Sequence, residues 1–196
     1  MNALEYWDLE IIGEVPKDVQ SYIDSRNRIV EADVGDFTYK TEPFEHQVES
    51  FEYAKDHPCF LLGDEQGLGK TKQAIDIAVS RKNEFRHCLI VCCVSGLKWN
   101  WAKEVEIHSN EQAHIIGSRV NRKGNLTIDG VQKRVEDLLL DHKEYFLITN
   151  IETLRDKSFT SALKELTQTG EIGMVVVDEI HKCKNPSSQQ GTALHS

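Results

Sequence analysis

The chain has 196 residues, 39% hydrophobic and 28% charged, with 4 Pro and 12 Gly; at about 150 residues per domain this is one globular domain with room for a small appendage, and not a disordered linker. Lys and Arg number 23 against 32 Asp and Glu, a net charge of -9, which excludes a domain that holds nucleic acid by overall charge but leaves a local basic groove open. No apolar run reaches about 18 residues, so no membrane-spanning helix is expected. The acidic start, MNALEYWDLE, lacks the apolar stretch of a secretory signal. Five Cys without a C-x-x-C pair read as free thiols of a reducing, cytoplasmic compartment, most of them in buried strands.

In chain order, residues 1–40 are acidic and broken by Gly13, Pro16 and Gly35. Leu9–Ile12 and Asp36–Tyr39 read as short strands and Pro16–Arg26 as a helix opened by proline, together a small N-terminal appendage. The pattern is regular over 41–196. Thr41 is placed to cap a helix with Pro43 in its first turn, and Phe44, Val48 and Phe51 form one apolar stripe. Phe60–Leu62 reads as a buried strand, followed by a glycine-rich turn and a helix over Thr71–Val79. Cys88–Val94 is a second apolar strand, and Leu97, Trp101 and Val105 mark a helix. His114–Ile116 is a third strand. Val131, Val135, Leu138 and Leu139 mark another helix, with Asp129 as its cap and Gln132 three residues on, as in a capping box. Tyr145–Thr149 and Met174–Val177 complete the strands. Short apolar strands alternating with amphipathic helices predict an α/β fold, a mainly parallel sheet with helices on both faces.

Two segments carry chemistry. In LLGDEQGLGKT, residues 61–71, a strand, a turn with glycines and a helix start follow one another. Glycines let successive N–H groups point inward at phosphate oxygens, and the helix N-terminus adds its dipole. Lys70 is positioned for the β- and γ-phosphates and the Thr71 hydroxyl for Mg²⁺. The strict P-loop pattern has Gly where this chain has Asp64, so the text matches only G-x-G-K-T. The other segment is MVVVDE, residues 174–179. Ligands of parallel sheets sit outside the carboxyl ends of strands, where Asp178 would hold Mg²⁺ and Glu179 would orient or deprotonate a water. His181 follows. The basic segments Arg81-Lys82 with Arg86, and Arg119 with Arg122-Lys123, read as solvated loop charge.

Taken together these residues resemble a family. DEQGLGKT is similar to the DEMGLGKT of the Swi/Snf-type helicase-like ATPases of helicase superfamily two, which accounts for Asp64. DEIHKCKN at Asp178–Asn185 resembles the family's DEAH box, and His181 in its fourth place separates it from DEAD-box helicases. Phe44-Glu45-His46-Gln47 resembles the segment whose glutamine, here Gln47, reads the adenine. Leu89–Ser95 with Asn100-Trp101 resembles the next motif, with Cys93 in place of a proline. Ile148–Leu154 resembles I-T-x-Y-E-x-L, with Ile151 for the aromatic residue. The resemblance implies a RecA-like P-loop NTPase lobe over 41–196. ATP would be bound by Gln47, Asp64, Glu65, Gln66, Gly67, Leu68, Gly69, Lys70 and Thr71. Mg²⁺ would lie at Thr71 and Asp178, and Lys70, Asp178 and Glu179 would be catalytic. It implies a parent that moves on double-stranded DNA at the expense of ATP, with a second RecA-like lobe that is missing here. Without that lobe this chain is expected to bind nucleotide and turn over poorly. Related readings are a strand-separating helicase, a restriction-type translocase, or a non-enzymatic nucleotide-gated half that needs a partner chain. The resemblance also implies that a central strand, between the P-loop strand and the acidic-box strand, is lacking.

Overall fold

A computed structural model describes residues 37–183, apart from 95, 121, 122 and 125, together with 192. These residues part into two compact units between Ile77 and Ala78. The strand expected at Leu9–Ile12, the helix at Pro16–Arg26 and most of the 1–40 appendage lie outside the described residues. Phe37–Tyr39, expected in a strand, are irregular.

In the first unit the rings of Phe37, Tyr39 and Phe51 form a small aromatic cluster, with Phe37 stacked on Phe51 at 4.9 Å. Helix α1 spans Glu45–Asp56. It starts at Phe44 and not at Thr41, because Gln47 supplies the cap: the Phe44 N–H donates to Gln47 Oε1 at 3.1 Å. Its buried residues are His46, Gln47, Phe51 and Ala54; of the Phe44–Val48–Phe51 stripe, Phe51 is buried and Phe44 and Val48 are half-buried. The strand expected at Phe60–Leu62 is absent. A strand persists only where its N–H and C=O groups find a ladder partner, and no described strand pairs with this segment, where Leu61 is 74% exposed. Helix α2 spans Lys70–Ser80.

The second unit is built on strands β1 (His87–Cys92), β2 (Ala113–Ile115), β5 (Phe146–Asn150) and β6 (Ile172–Asp178). They form one parallel sheet in the order β2-β5-β1-β6, as the α/β reading predicts. β1 is wholly buried because it lies between two strands and is covered on both faces, which its run of Cys, Leu, Ile and Val permits. β6, which ends in Asp178, is an edge strand among the described residues, and Val175 is 47% exposed. Helix α3 (Leu97–His108) packs on β2 and β5 through buried Trp101 and Val105. Helix α4 (Val131–Leu138) and helix α5 (Lys157–Gln168) pack on each other. Val135, Leu138, Phe159 and Ala162 close over Leu89, Val91 and Leu147 to make the main core.

Three local features depart from the sequence reading. Asp129 does not cap α4; the N-cap is Gly130, without a side-chain bond. A short antiparallel pair, β3 (Ser118–Val120) with β4 (Leu126–Ile128), draws the Asp129 carboxylate to Arg119 Nε at 2.5 Å. That pair was not expected from sequence. Nor was α5, whose N-cap Asp156 accepts from the N–H groups of Ser158 at 2.9 Å and Phe159 at 3.1 Å.

Candidate nucleotide and acidic-box sites

The phosphate-loop residues belong to the first unit. Gly67 and Gly69 have φ of 84° and 72°, the left-handed region that only glycine enters at little cost. The loop is pinned from below through one carbonyl: Leu68 O accepts from His46 Nε2 at 2.9 Å, Gln47 Nε2 at 3.3 Å and Gln73 Nε2 at 3.3 Å. Gln73 also donates to Asp64 Oδ2 at 2.8 Å. This is the local use of Asp64 where the strict pattern has Gly: its carboxylate ties the start of the loop to α2. Lys70, the first residue of α2, closes the ring by donating to the carbonyls of Asp64 at 2.7 Å and Glu65 at 2.8 Å. Glu65, Gln66 and Gly67 are exposed, Leu68, Gly69 and Thr71 half-buried.

These residues fit a phosphate ligand. A Cβ built on Gly63 or Gly67 meets nothing within 4 Å, so the loop has open space beside it. One built on Gly69 falls closer than 3.0 Å to Gln47 Nε2. The loop leads directly into the N-terminus of an 11-residue helix, the arrangement that holds anions. Gln47 is 3% exposed and engaged at both ends of its amide, so the structure places it beneath the loop as a support. Two buried polar atoms beside these contacts, His46 Nδ1 and Gln73 Oε1, have no hydrogen-bond partner. Farther along α2, Lys72 and Asp76 form a buried ion pair at 2.5 Å, with the Lys72 ammonium 4.8 Å from the Tyr39 ring centroid. Burial raises the Asp76 carboxyl to about 6, against the opposing pull of Lys72.

The acidic box belongs to the second unit. Asp178 closes β6, paired in register with Cys92 of β1. Its Oδ2 accepts from the indole Nε1 of buried Trp101 at 2.9 Å. Glu179 has φ of 55°, a left-handed value at a non-glycine residue; such strain concentrates at functional positions. Its Oε2 is 3.0 Å from His181 Nδ1.

Sequence reasoning missed the polar cluster at the same carboxyl end of the sheet. Asn150 Oδ1, at the end of β5, accepts from Lys98 at 3.3 Å and from Thr153 Oγ1 at 2.9 Å. Arg134 reaches Thr153 Oγ1 at 2.7 Å. Lys98 is buried, and burial lowers its ammonium pKa, with Arg134 acting in the same direction. The signal was its place three residues before Trp101, on the same side of α3.

Of the basic segments, Lys82, Arg86 and Arg119 are paired surface charges. Lys82 bonds Glu111 at 2.6 Å, Arg86 bonds Asp141 and Glu171, and Arg119 bonds Asp129. Cys88, Cys92 and Cys93 are buried thiols outside any disulfide, and Cys59 is an exposed one. Burial, and secondarily the Asp178 charge, pushes the Cys92 thiol up to about 12. Among the described residues no helix is long and apolar enough to cross a membrane.

The chain is 31% identical over 155 residues to a DNA repair and recombination protein RAD54-like from Gallus gallus, covering 71% of this chain and 19% of the relative. It is 29% identical over 159 residues to the DNA annealing helicase and endonuclease ZRANB3 from Bos taurus, covering 79% and 13%. It therefore spans less than a fifth of either. Among solved structures, the Sulfolobus solfataricus SWI2/SNF2 ATPase core in complex with dsDNA aligns with a TM-score of 0.55 at 19% identity, over 82% of this chain and 31% of that one; this likeness concerns the fold. Residues 44–196 match the SNF2-related domain, and the chain belongs to that family.

Proposed function

We propose that this chain is the ATP-binding lobe of a translocase that moves on double-stranded DNA. The observation that carries the reading is the loop over residues 63–71: two left-handed glycines, a lysine folded onto the loop's own carbonyls, and a helix that starts there. Lys70 exchanges the Asp64 and Glu65 carbonyls for β- and γ-phosphate oxygens of ATP. Backbone N–H groups of residues 65–70 take the remaining phosphate oxygens. Thr71 in the first unit and Asp178 in the second would each offer an oxygen to Mg²⁺, which would supply neutralisation of phosphate charge. Trp101 fixes the Asp178 carboxylate at its outer side. Glu179 orients the attacking water, and His181 steadies its carboxylate. The roles of Asp178 and Glu179 are supported by their place at the end of β6 and by family membership. A DNA partner is supported by the DNA repair and DNA annealing relatives and its double-stranded form by the motif resemblance; a second lobe would complete the motor. An arginine supplied by such a lobe is worth about 10³–10⁵ in rate in related phosphoryl transfer, so residues 44–196 tested by themselves should bind nucleotide and hydrolyse it weakly.

The test is Mg·ATP binding by the chain beside Lys70→Ala, with circular dichroism on both. Binding that vanishes in a folded Lys70→Ala supports the reading. Unchanged binding, or none by the folded wild-type chain, refutes it. Hydrolysis by this chain alone that rises strongly with duplex DNA would overturn the requirement for a second lobe.

A further inference from the structure

Away from the nucleotide and acidic-box residues, three elements of the second unit bring His114, Asp137 and His142 together. His114 is the middle residue of β2, Asp137 lies in the last turn of α4, and His142 sits in the connection from α4 to β5. One potential ligand atom from each lies within 4.8 Å of the others. His114 Nε2 is 2.8 Å from Asp137 Oδ2, and the two imidazoles stack with centroids 4.5 Å apart. The side chains of His114, Asp137 and His142 are 23%, 19% and 8% exposed, so the cluster is shielded yet reachable.

We infer that His114, Asp137 and His142 form a binding site for a divalent transition-metal ion of the zinc class. The chemistry of the donors points there: two imidazoles and a carboxylate suit Zn²⁺ and its neighbours, and suit Ca²⁺ or Mg²⁺ poorly. The surroundings orient the donors as metal sites do. His142 Nε2 lies 2.7 Å from the Asp137 carbonyl oxygen. A carbonyl only accepts, so Nε2 carries the proton and Nδ1 keeps its lone pair, the arrangement by which ligating histidines are held. The Gly117 N–H donates to Asp137 Oδ2 at 2.5 Å and fixes the carboxylate. Glu144 Oε2 stands 3.9 Å from His142 Nδ1. That is too long for a hydrogen bond, and Glu144 falls outside the converging three-residue group, so water would complete the four-coordinate shell of a zinc-class ion. Binding releases to solvent the proton that His114 Nε2 now donates to Asp137 Oδ2, and small side-chain rotations bring the donors to bonding distance. The ion would pin the α4–β5 connection to the edge strand β2.

The experiment titrates Zn²⁺ and Co²⁺ into the full chain. It follows stoichiometry by calorimetry, the visible absorption of four-coordinate Co²⁺, and the unfolding temperature. One ion per chain is expected, with a raised unfolding temperature. His114→Ala and His142→Ala should each weaken binding at least tenfold. His142→Gln, checked for fold by circular dichroism, should do the same without disturbing β2. Lys70→Ala should leave the ion bound, which separates this site from the phosphate loop. Absence of binding by the folded chain overturns the inference, leaving a proton-bridged polar cluster. So does an affinity unchanged in a folded His114→Ala/His142→Ala double variant.

Discussion

The phosphate loop can be taken apart glycine by glycine, because Gly67 and Gly69 differ sharply in what a side chain there would meet. Both have left-handed φ, but a Cβ on Gly67 meets open space and one on Gly69 runs into Gln47 Nε2. A side chain forced into the left-handed region costs about 1–2 kcal/mol. Gly67→Ala therefore weakens a loop-bound phosphate ligand about 5–30-fold. Gly69→Ala carries the same backbone cost plus the collision, and overpacking of this kind adds about 1–3 kcal/mol. Gln47 is 3% exposed and tied to Phe44 and Leu68, so it cannot yield without breaking two hydrogen bonds. The assay is calorimetric binding of inorganic tripolyphosphate, which engages the loop without a base. Gln47→Ala is then added to both glycine variants to complete a double-mutant cycle. In the Gln47→Ala background the cost of Gly69→Ala should fall by about 1–3 kcal/mol, the coupling expected of residues in contact. The cost of Gly67→Ala should not change. Equal costs for the two glycine variants, or no coupling between Gly69 and Gln47, would refute the claim that Gln47 props the loop.

Three further outcomes follow from single contacts. Trp101→Phe keeps the ring and removes the N–H that Asp178 accepts; losing such an outer partner weakens metal affinity about 10–100-fold, to be read as the Mg²⁺ dependence of nucleotide binding with fold checked by circular dichroism. Gly173→Ala places a Cβ 2.7 Å from Phe85 Cβ and closer still to its ring, so it should cost about 1–3 kcal/mol in urea unfolding, most of it recovered in a Phe85→Ala background. The Asp76 carboxyl titrates near 6 when folded, above its ordinary 3.8, chiefly through burial. The folded state holds this proton longer, so its contribution is complete below about pH 4 and is lost as pH rises through 6, by up to about 3 kcal/mol. Urea unfolding of wild type against Asp76→Asn between pH 4 and 7 should show that loss in wild type alone.

The parts of the fold that were legible are those in which local pattern and tertiary need agree. β1 is an unbroken apolar run because it lies inside a parallel sheet, and α3 shows its buried face at Trp101 and Val105. Helix α5 was equally legible in principle: Asp156 is a cap, and Phe159, Ala162, Leu163 and Leu166 form one stripe. The β3–β4 pair was not legible, since strands of three residues with Val120 and Leu126 exposed carry no period. Phe60–Leu62 failed for a different reason. Its apolar run satisfies the local requirement for a strand, but a strand is a pairing and no partner is described for it.

The same division holds at the site. Spacing alone placed Lys70 at a helix start and Asp178 at a strand end, because both positions are defined by a change of local pattern. Spacing could not show that Gln47, Gln73 and His46 converge on one carbonyl, nor that Trp101 reaches Asp178 across 77 residues. These contacts are made by residues that sequence periodicity assigns to helix interiors. A phosphate loop has few side chains of its own to set its shape, so the helices beneath it must do so. The cost of moving those supports, measured through Gln47 and Trp101, tests the site more severely than removing Lys70. Loss of the lysine would abolish binding under almost any P-loop reading, whereas the supports matter only if this particular arrangement is correct.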